Sequence, residues 1–174
     1  MKFVFAVMSI IYICGMKKII ILFSIFFISI VSYAQSPIES IGLVFGITKE
    51  DVQSRLENKG LRFEAANKDM LIINQQVESA GSQFGKCTLI FKKEKLIEAN
   101  FEQVLTKSEE RIASIKFPAI SRWLSEKYVM RRYMEKSRNG YYNGWKSDEN
   151  GYALLRWEKQ DDGTSRLNLI FSPK

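Results

Sequence analysis

The sequence predicts an α+β fold: two α-β4-like repeats, with helices packed on one face of an antiparallel sheet. Three observations predict it. Helix-like and strand-like segments follow in the order helix, four strands, helix, four strands. The two halves agree at alternate positions near their ends, as two strands must when each buries the same face. Both helices open on capping residues.

The first helix is expected from Thr48. That residue is a good N-cap, and Asp51 stands at N3, where a carboxylate favours the positive end of a helix. Ile47 and Val52 hold the two positions of a hydrophobic staple, and Val52 and Leu56, four apart, give one narrow apolar face. Gly60 suits the left-handed residue after the helix, with Leu61 as the apolar contact beyond it.

Four strand-like runs follow. "LRFEAA" and "MLIINQQ" are separated by the turn signal Asn67-Lys68-Asp69, and "KCTLIFKK" and "LIEANFEQV" by the polar pair Glu94-Lys95. The second helix, "TKSEERIASIKFPAISRWLSEKYV", opens on the capping-box pair Thr106 and Glu109. Its apolar face is expected to be Ile112, Ile115, Ala119 and Trp123, with a kink or restart at Pro118. "RRYMEKS", "YYNGWKS", "YALLRWEK" and "RLNLIFS" complete the chain, joined by the hairpin signals Asn139-Gly140, Glu149-Asn150-Gly151 and Asp162-Gly163.

Gly85, Cys87, Leu89, Phe91 and Lys93 fall against Gly151, Ala153, Leu155, Trp157 and Lys159 at a constant offset of 66. Ile97, Ala99 and Phe101 then fall against Leu167, Leu169 and Phe171. The repeats are accordingly placed at 35–105 and 106–174.

The N-terminus reads separately. Met16 begins a stretch with Lys17 and Lys18, an apolar core from Ile19 to Val31, and small residues at Ser32 and Ala34. That is the pattern of a secretory signal peptide cleaved after Ala34, and the apolar run is short against the roughly 20 residues of a membrane span. The alternative is an uncleaved anchor. Ile13 stands where a lipid-attachment site wants a small residue, which argues against lipidation of Cys14. The expected location is therefore periplasmic or secreted.

Of 26 basic residues, Lys2, Lys17 and Lys18 leave with the leader, so 23 face 19 acidic ones and the net charge is +4. Cys87 is then the one remaining cysteine, so there is no internal disulfide framework, and its apolar setting suggests a buried inert thiol.

There is no histidine anywhere in the chain, which excludes Ser-His-Asp and Cys-His catalysis and the usual zinc sites. The adjacent pairs Glu109-Glu110 and Asp161-Asp162 suit a helix start and a turn better than proton transfer. "SDENGY" lacks the ligand run of a calcium loop. No enzyme, cofactor or metal is expected.

The compositional hot spot is "RRYMEKSRNGYYNGWK", residues 131–146. Arg131, Arg132, Lys136, Arg138 and Lys146 against Glu135 give +4, the whole net charge after Ala34, and four aromatic residues interleave. Tyr, Trp and Arg dominate interface hot spots, so Arg138, Tyr142 and Trp145 are the candidate partner-binding residues. An edge hairpin with one aromatic face buried and cations guarding its exposed edge would read the same way. So would a site for an anionic glycan or lipid; nucleic acid is not expected of an exported chain.

Gly46, Thr48, Val52 and Leu56 have the spacing G-x-T-x-x-x-V-x-x-x-L. It resembles the helix opening of the β-lactamase inhibitor protein family, built as a tandem α-β repeat, and of the SmpA/OmlA-type outer-membrane assembly lipoproteins. Thr106 lacks the preceding glycine, and the cysteine pairs of the inhibitor group are missing. The resemblance implies a non-enzymatic module that binds an envelope or secreted protein; the alternative is a binder of a glycan or another envelope ligand.

Overall fold

Helix α1 (Lys49–Asn58) begins and ends where its local chemistry dictates. The Asp51 N–H donates to Thr48 Oγ1 at 3.2 Å, and Thr48 Oγ1 donates to Asp51 Oδ2 at 2.8 Å. At the other end the Gly60 N–H bonds the Glu57 carbonyl and the Leu61 N–H reaches back to the Leu56 carbonyl, both at 2.9 Å. With Gly60 at φ 68° this is a complete Schellman motif. Val52 and Leu56 are buried, as the spacing predicts.

The computed structural model describes residues 38–127, 131–137, 140–147 and 151–173. After α1 come β1 (Glu64–Asn67), β2 (Met70–Ile73), β3 (Val77–Ser79), β4 (Ser82–Phe84), β5 (Lys86–Lys92) and β6 (Lys95–Leu105). A 3-10 turn (Lys107–Glu109) leads into α2 (Glu110–Lys127), and β7 (Arg131–Ser137), β8 (Gly140–Ser147), β9 (Gly151–Lys159) and β10 (Ser165–Ser172) follow. The fold is mixed α+β. Eight strands form one sheet in the order β1-β2-β5-β6-β10-β9-β8-β7, every neighbouring pair antiparallel.

That order reads outward in the same way from its centre. β6 pairs β10 with Phe101 opposite Leu169, Asn100 opposite Ile170 and Ala99 opposite Phe171. On one flank Cys87 faces Phe101 and Leu89 faces Ala99; on the other Ala153 faces Phe171 and Leu155 faces Leu169. Residues that match between the halves thus hold corresponding register positions. A bulge between Ile90 and Phe91 ends the correspondence, which resumes in no paired residue beyond it.

One face of the sheet carries the core. Leu71, Cys87, Leu89, Ala99, Phe101, Trp145, Leu155, Leu169 and Phe171 are buried in one cluster with Val52 and Leu56 of α1 and Ile120 and Leu124 of α2. Burying each Leu or Phe contributes about 1.5–3 kcal/mol.

Four expectations are corrected. First, the buried residues of α2 are Ala113, Ile120, Ser121 and Leu124. Ile112 and Ile115 are 38% and 61% exposed, Ala119 is exposed and Trp123 half-buried. Second, of the kink or restart expected at Pro118, the restart does not occur, because α2 runs through that residue as one helix. Ser114 and Pro118 are both exposed, so the carbonyl that loses its N–H donor lies where water can replace it. Third, the polar stretch before β5 forms the hairpin β3–β4, a separate two-stranded sheet pinned to the core by buried Val77 and Phe84. Its turn, Ala80-Gly81, is left-handed at both residues.

The fourth concerns the β5–β6 turn, which is Lys93-Glu94 rather than Glu94-Lys95. Lys92 faces Lys95, and Lys93 and Glu94 adopt φ 51° and 62°. Two consecutive left-handed non-glycine residues are costly. They are held by α1: the Lys49 N–H donates to the Glu94 carbonyl, the Leu96 N–H to the Ile47 carbonyl and the Gly46 N–H to the Leu96 carbonyl, at 2.9–3.0 Å. Replacing the pair with Asn-Gly (Lys93→Asn, Glu94→Gly) relieves the strain and is expected to stabilise the fold by about 1 kcal/mol. The unfolding midpoint in urea checks it; an unchanged or lowered midpoint would mean that the native pair is not strained.

Candidate functional site

The three residues singled out as partner contacts do not come together. Arg138 lies outside the described residues. Trp145 is fully buried, with its indole N–H donating to Ser125 Oγ at 3.2 Å. It is therefore a core residue, and its place as a contact is corrected: it faces Ala153, whose small side chain leaves room for the indole. Two residues along, Asn143 Nδ2 donates to Ser121 Oγ at 2.8 Å, and Ser125 Oγ donates to the Ser121 carbonyl at 2.9 Å. Asn143 and Trp145 thus dock β8 onto α2.

Tyr142 has the opposite parity and lies on the other face, half-buried. Its hydroxyl donates to Glu158 Oε1, and Arg156 closes an ion pair with Glu158 Oε2. The Arg156 guanidinium sits 5.5 Å from the centre of the Tyr142 ring. The hydrogen bond that Arg156 donates to Glu158 raises the guanidinium above its ordinary value. Burial pushes Glu158 upward, but the hydrogen bonds from Arg156 and Tyr142 outweigh it and hold the carboxyl below its ordinary value. The three groups form a rigid charged unit on β8 and β9.

The same face carries a second pairing, with the Lys146 ammonium 5.7 Å from the Tyr152 ring, itself 43% exposed. Further across, Glu102 lies 3.8 Å from Lys86 and 3.6 Å from Arg166, surface pairs worth little individually. Half-buried Thr88, Asn100, Leu154 and Ile170 share one register row, Thr88 against Asn100, Asn100 against Ile170 and Ile170 against Leu154. Asn100 Oδ1 and Arg156 Nε are buried without a hydrogen-bond partner. Burial also raises the Glu98 carboxyl above its ordinary value.

At the β1–β2 end lies a depression of about 330 Å³ lined by Arg62, Phe63, Glu64, Ile72, Asn74 and Gln75. Asn74 Nδ2 donates to Glu64 Oε1 at 2.5 Å.

The carboxylate pairs have structural partners. The Thr106 N–H donates to Glu109 Oε2 at 3.0 Å, and this bond lowers Glu109. Glu110 accepts from Lys159 at 2.5 Å. Asp162 accepts from the backbone and hydroxyl of Thr164 across the Gly163 turn, and the hydroxyl bond lowers it first. Cys87 is fully buried, and burial pushes its thiol far above its ordinary value, leaving no thiolate for nucleophilic work. Among the described residues no group of three His, Cys, Asp or Glu side chains is placed to hold a metal, and no helix is long and apolar enough to cross a membrane. Asp148 and Asn150 lie outside the described residues.

In comparisons with known proteins, no family model matches the chain, and no curated protein or solved structure matches it either.

Sequence reasoning missed Arg156, Glu158 and Tyr152. The signal was parity: Tyr142 and Trp145 are three apart, so one strand cannot present both to the same side. The two faces give opposite expectations. Trp145→Ala should cost about 3–5 kcal/mol of unfolding free energy by leaving a cavity in the core. Tyr142→Phe, on the half-exposed face, should cost less than about 1 kcal/mol. Denaturant unfolding of both variants checks the pair; similar losses would contradict the assignment of faces.

Proposed function

We propose that this chain is an exported, non-enzymatic binding module of the cell envelope, periplasmic or secreted once its leader is removed after Ala34. It engages a protein partner through the sheet face opposite its core. The observation that carries this is the pair of unmet polar groups on that face, Asn100 Oδ1 and Arg156 Nε, set among half-buried aliphatic side chains. A protein surface can supply both the hydrogen bonds and the apolar cover, since interfaces combine an apolar centre with about one hydrogen bond per 100–200 Å². Tyr142, Arg156 and Tyr152 are of the types that anchor such contacts.

The fold reading behind the proposal is a tandem α-β4 unit with both helices on the core face. Support comes from the corresponding registers on either side of β6 and β10, and from helix residues sharing one cluster with alternate strand residues. The likeness to the β-lactamase inhibitor and SmpA/OmlA-type proteins rests on the α1 opening and this two-unit order.

A saccharide ligand is the second reading. Tyr141 stacks on Trp157 with ring centres 5.7 Å apart, Tyr141 is 43% exposed, and the buried Trp157 indole N–H has no acceptor. Such rings suit sugar faces.

The test is capture from solubilised envelope extract on the immobilised protein, beside an Arg156→Glu/Tyr152→Ala variant shown to be folded. One protein held by the native chain and lost by the variant is the expected result. Equal retention by both would remove the face from the account. Retention of nothing, together with glycan-array binding abolished by Tyr141→Ala, would replace that face with the Tyr141–Trp157 ring pair beside Phe117 of α2 and favour the saccharide reading.

A further inference from the structure

The two edges of the large sheet are guarded unequally. β7 carries Arg131, Arg132, Glu135 and Lys136 within seven residues, the charged dress that keeps an edge strand from pairing with another chain. β1, at the opposite edge, is Glu-Ala-Ala-Asn, exposed at all four positions and, among the described residues, hydrogen-bonded on one flank only, to β2. Its two central side chains are uncharged and too small to shield the backbone.

The edge is also fixed in place. Lys49 Nζ donates to the Lys68 carbonyl at 2.6 Å and to the Asn67 carbonyl at 3.5 Å, pinning the turn beyond β1. Before the strand, the Arg62 N–H donates to Gln75 Oε1 at 3.2 Å. Glu64 is tied to Asn74. The depression of about 330 Å³ opens beside the strand, with Ile72 cross-strand from Glu64 and Phe63 as its apolar lining. A free strand edge next to a side-chain pocket is the arrangement that adds an extended peptide as a further strand: backbone bonds supply affinity and the pocket supplies selection.

We infer that β1 is a docking edge for an extended peptide segment of a partner protein. That segment places an aliphatic or aromatic side chain in the Phe63–Ile72 depression and carries a carboxylate beside it. The charge preference follows from Arg62, Lys49 and Lys68 around the edge, which outnumber the carboxylates Glu64 and Asp69 there by one. The register shift between Ala65 and Asn67 leaves Ala66 without a cross-strand partner and limits the added pairing to a few residues. This contact is separate from the Tyr142–Arg156 unit: six strand spacings lie between β1 and β8, about 29 Å.

The experiment pans a phage-displayed library of random dodecapeptides on the purified protein and titrates the enriched peptide against native, Ala66→Pro and Arg156→Glu proteins. Proline at the bulge removes a backbone donor without entering a central strand, so its melting temperature should stay at the native value. The peptide is expected to bind Ala66→Pro about tenfold or more weakly, the loss of one backbone hydrogen bond with its neighbours. It should bind Arg156→Glu as it binds the native chain. Amide hydrogen exchange on the native protein, which needs no variant to fold, should show new protection within residues 64–67. Absence of any enriched peptide, or enriched peptides that ignore Ala66→Pro and protect amides elsewhere, would overturn the inference. Binding lost in Arg156→Glu instead would assign the peptide to the other face.

Discussion

The pairing of β6 with β10 is the constraint on which the rest depends. Among the described residues, each flank of the eight-stranded sheet is joined to the other by strand pairing through it alone. Its register, Asn100 opposite Ile170, decides which residues of both flanks enter the buried cluster. A slip by one residue would turn Phe101, Leu169 and Phe171 to the opposite side and expose the core. The aromatic contact across the seam, Phe101 with Phe171 at 6.2 Å, reinforces it from the core side, and Phe84 of β4 packs on the same Phe101 ring at 5.8 Å.

The helices act on this sheet through a few specific polar contacts as well as burial. Lys116 of α2 reaches Gln103 of β6 at 2.5 Å and the Gln83 carbonyl of β4 at 2.7 Å, over the Phe84 ring, and burial lowers its ammonium from the ordinary value. Ser121 and Ser125 do the equivalent work for Asn143 and Trp145. On the other side of the sheet, Arg156 and Asn100 keep unmet hydrogen-bonding capacity. Asn143 Oδ1 and Trp157 Nε1 are unmet on the core side as well, so what sets the far face apart is the half-buried row Thr88, Asn100, Ile170 and Leu154 around its unmet groups.

Much of this was legible in the sequence wherever local chemistry decides structure. The α1 caps, the Thr106 capping box and the Gly163 turn depend on neighbours within a few residues, and they stand where the residues indicate. The strand alternation was legible because alternate residues are buried along β5, β6, β9 and β10. What was not legible depends on distant partners. The phase of α2 was misjudged because Ile112 and Ile115 offer a rival apolar stripe, and only the sheet selects Ile120 and Leu124. The β3–β4 hairpin hides in a polar stretch whose anchors, Val77 and Phe84, are seven apart. The left-handed Lys93-Glu94 turn carries no turn residues and is imposed by the α1 lead-in. At the candidate site, composition pointed to residues 131–146, but which face each described side chain takes follows from strand parity, which places Trp145 inside.

The most direct test of the account is disulfide trapping across the central seam. In a Cys87→Ala background, Asn100→Cys is combined in turn with Ile170→Cys and Asn168→Cys, and cross-linking is measured after mild oxidation. Opposed residues in an antiparallel pair lie within the roughly 4.4–6.8 Å Cα separation that a disulfide accepts. The account predicts rapid, near-complete cross-linking of the 100/170 pair and little of the 100/168 pair, with the 100/170 product keeping native unfolding behaviour. Preferential cross-linking of 100/168 would mean a seam slipped by two residues, and with it the correspondence between the two halves would fail.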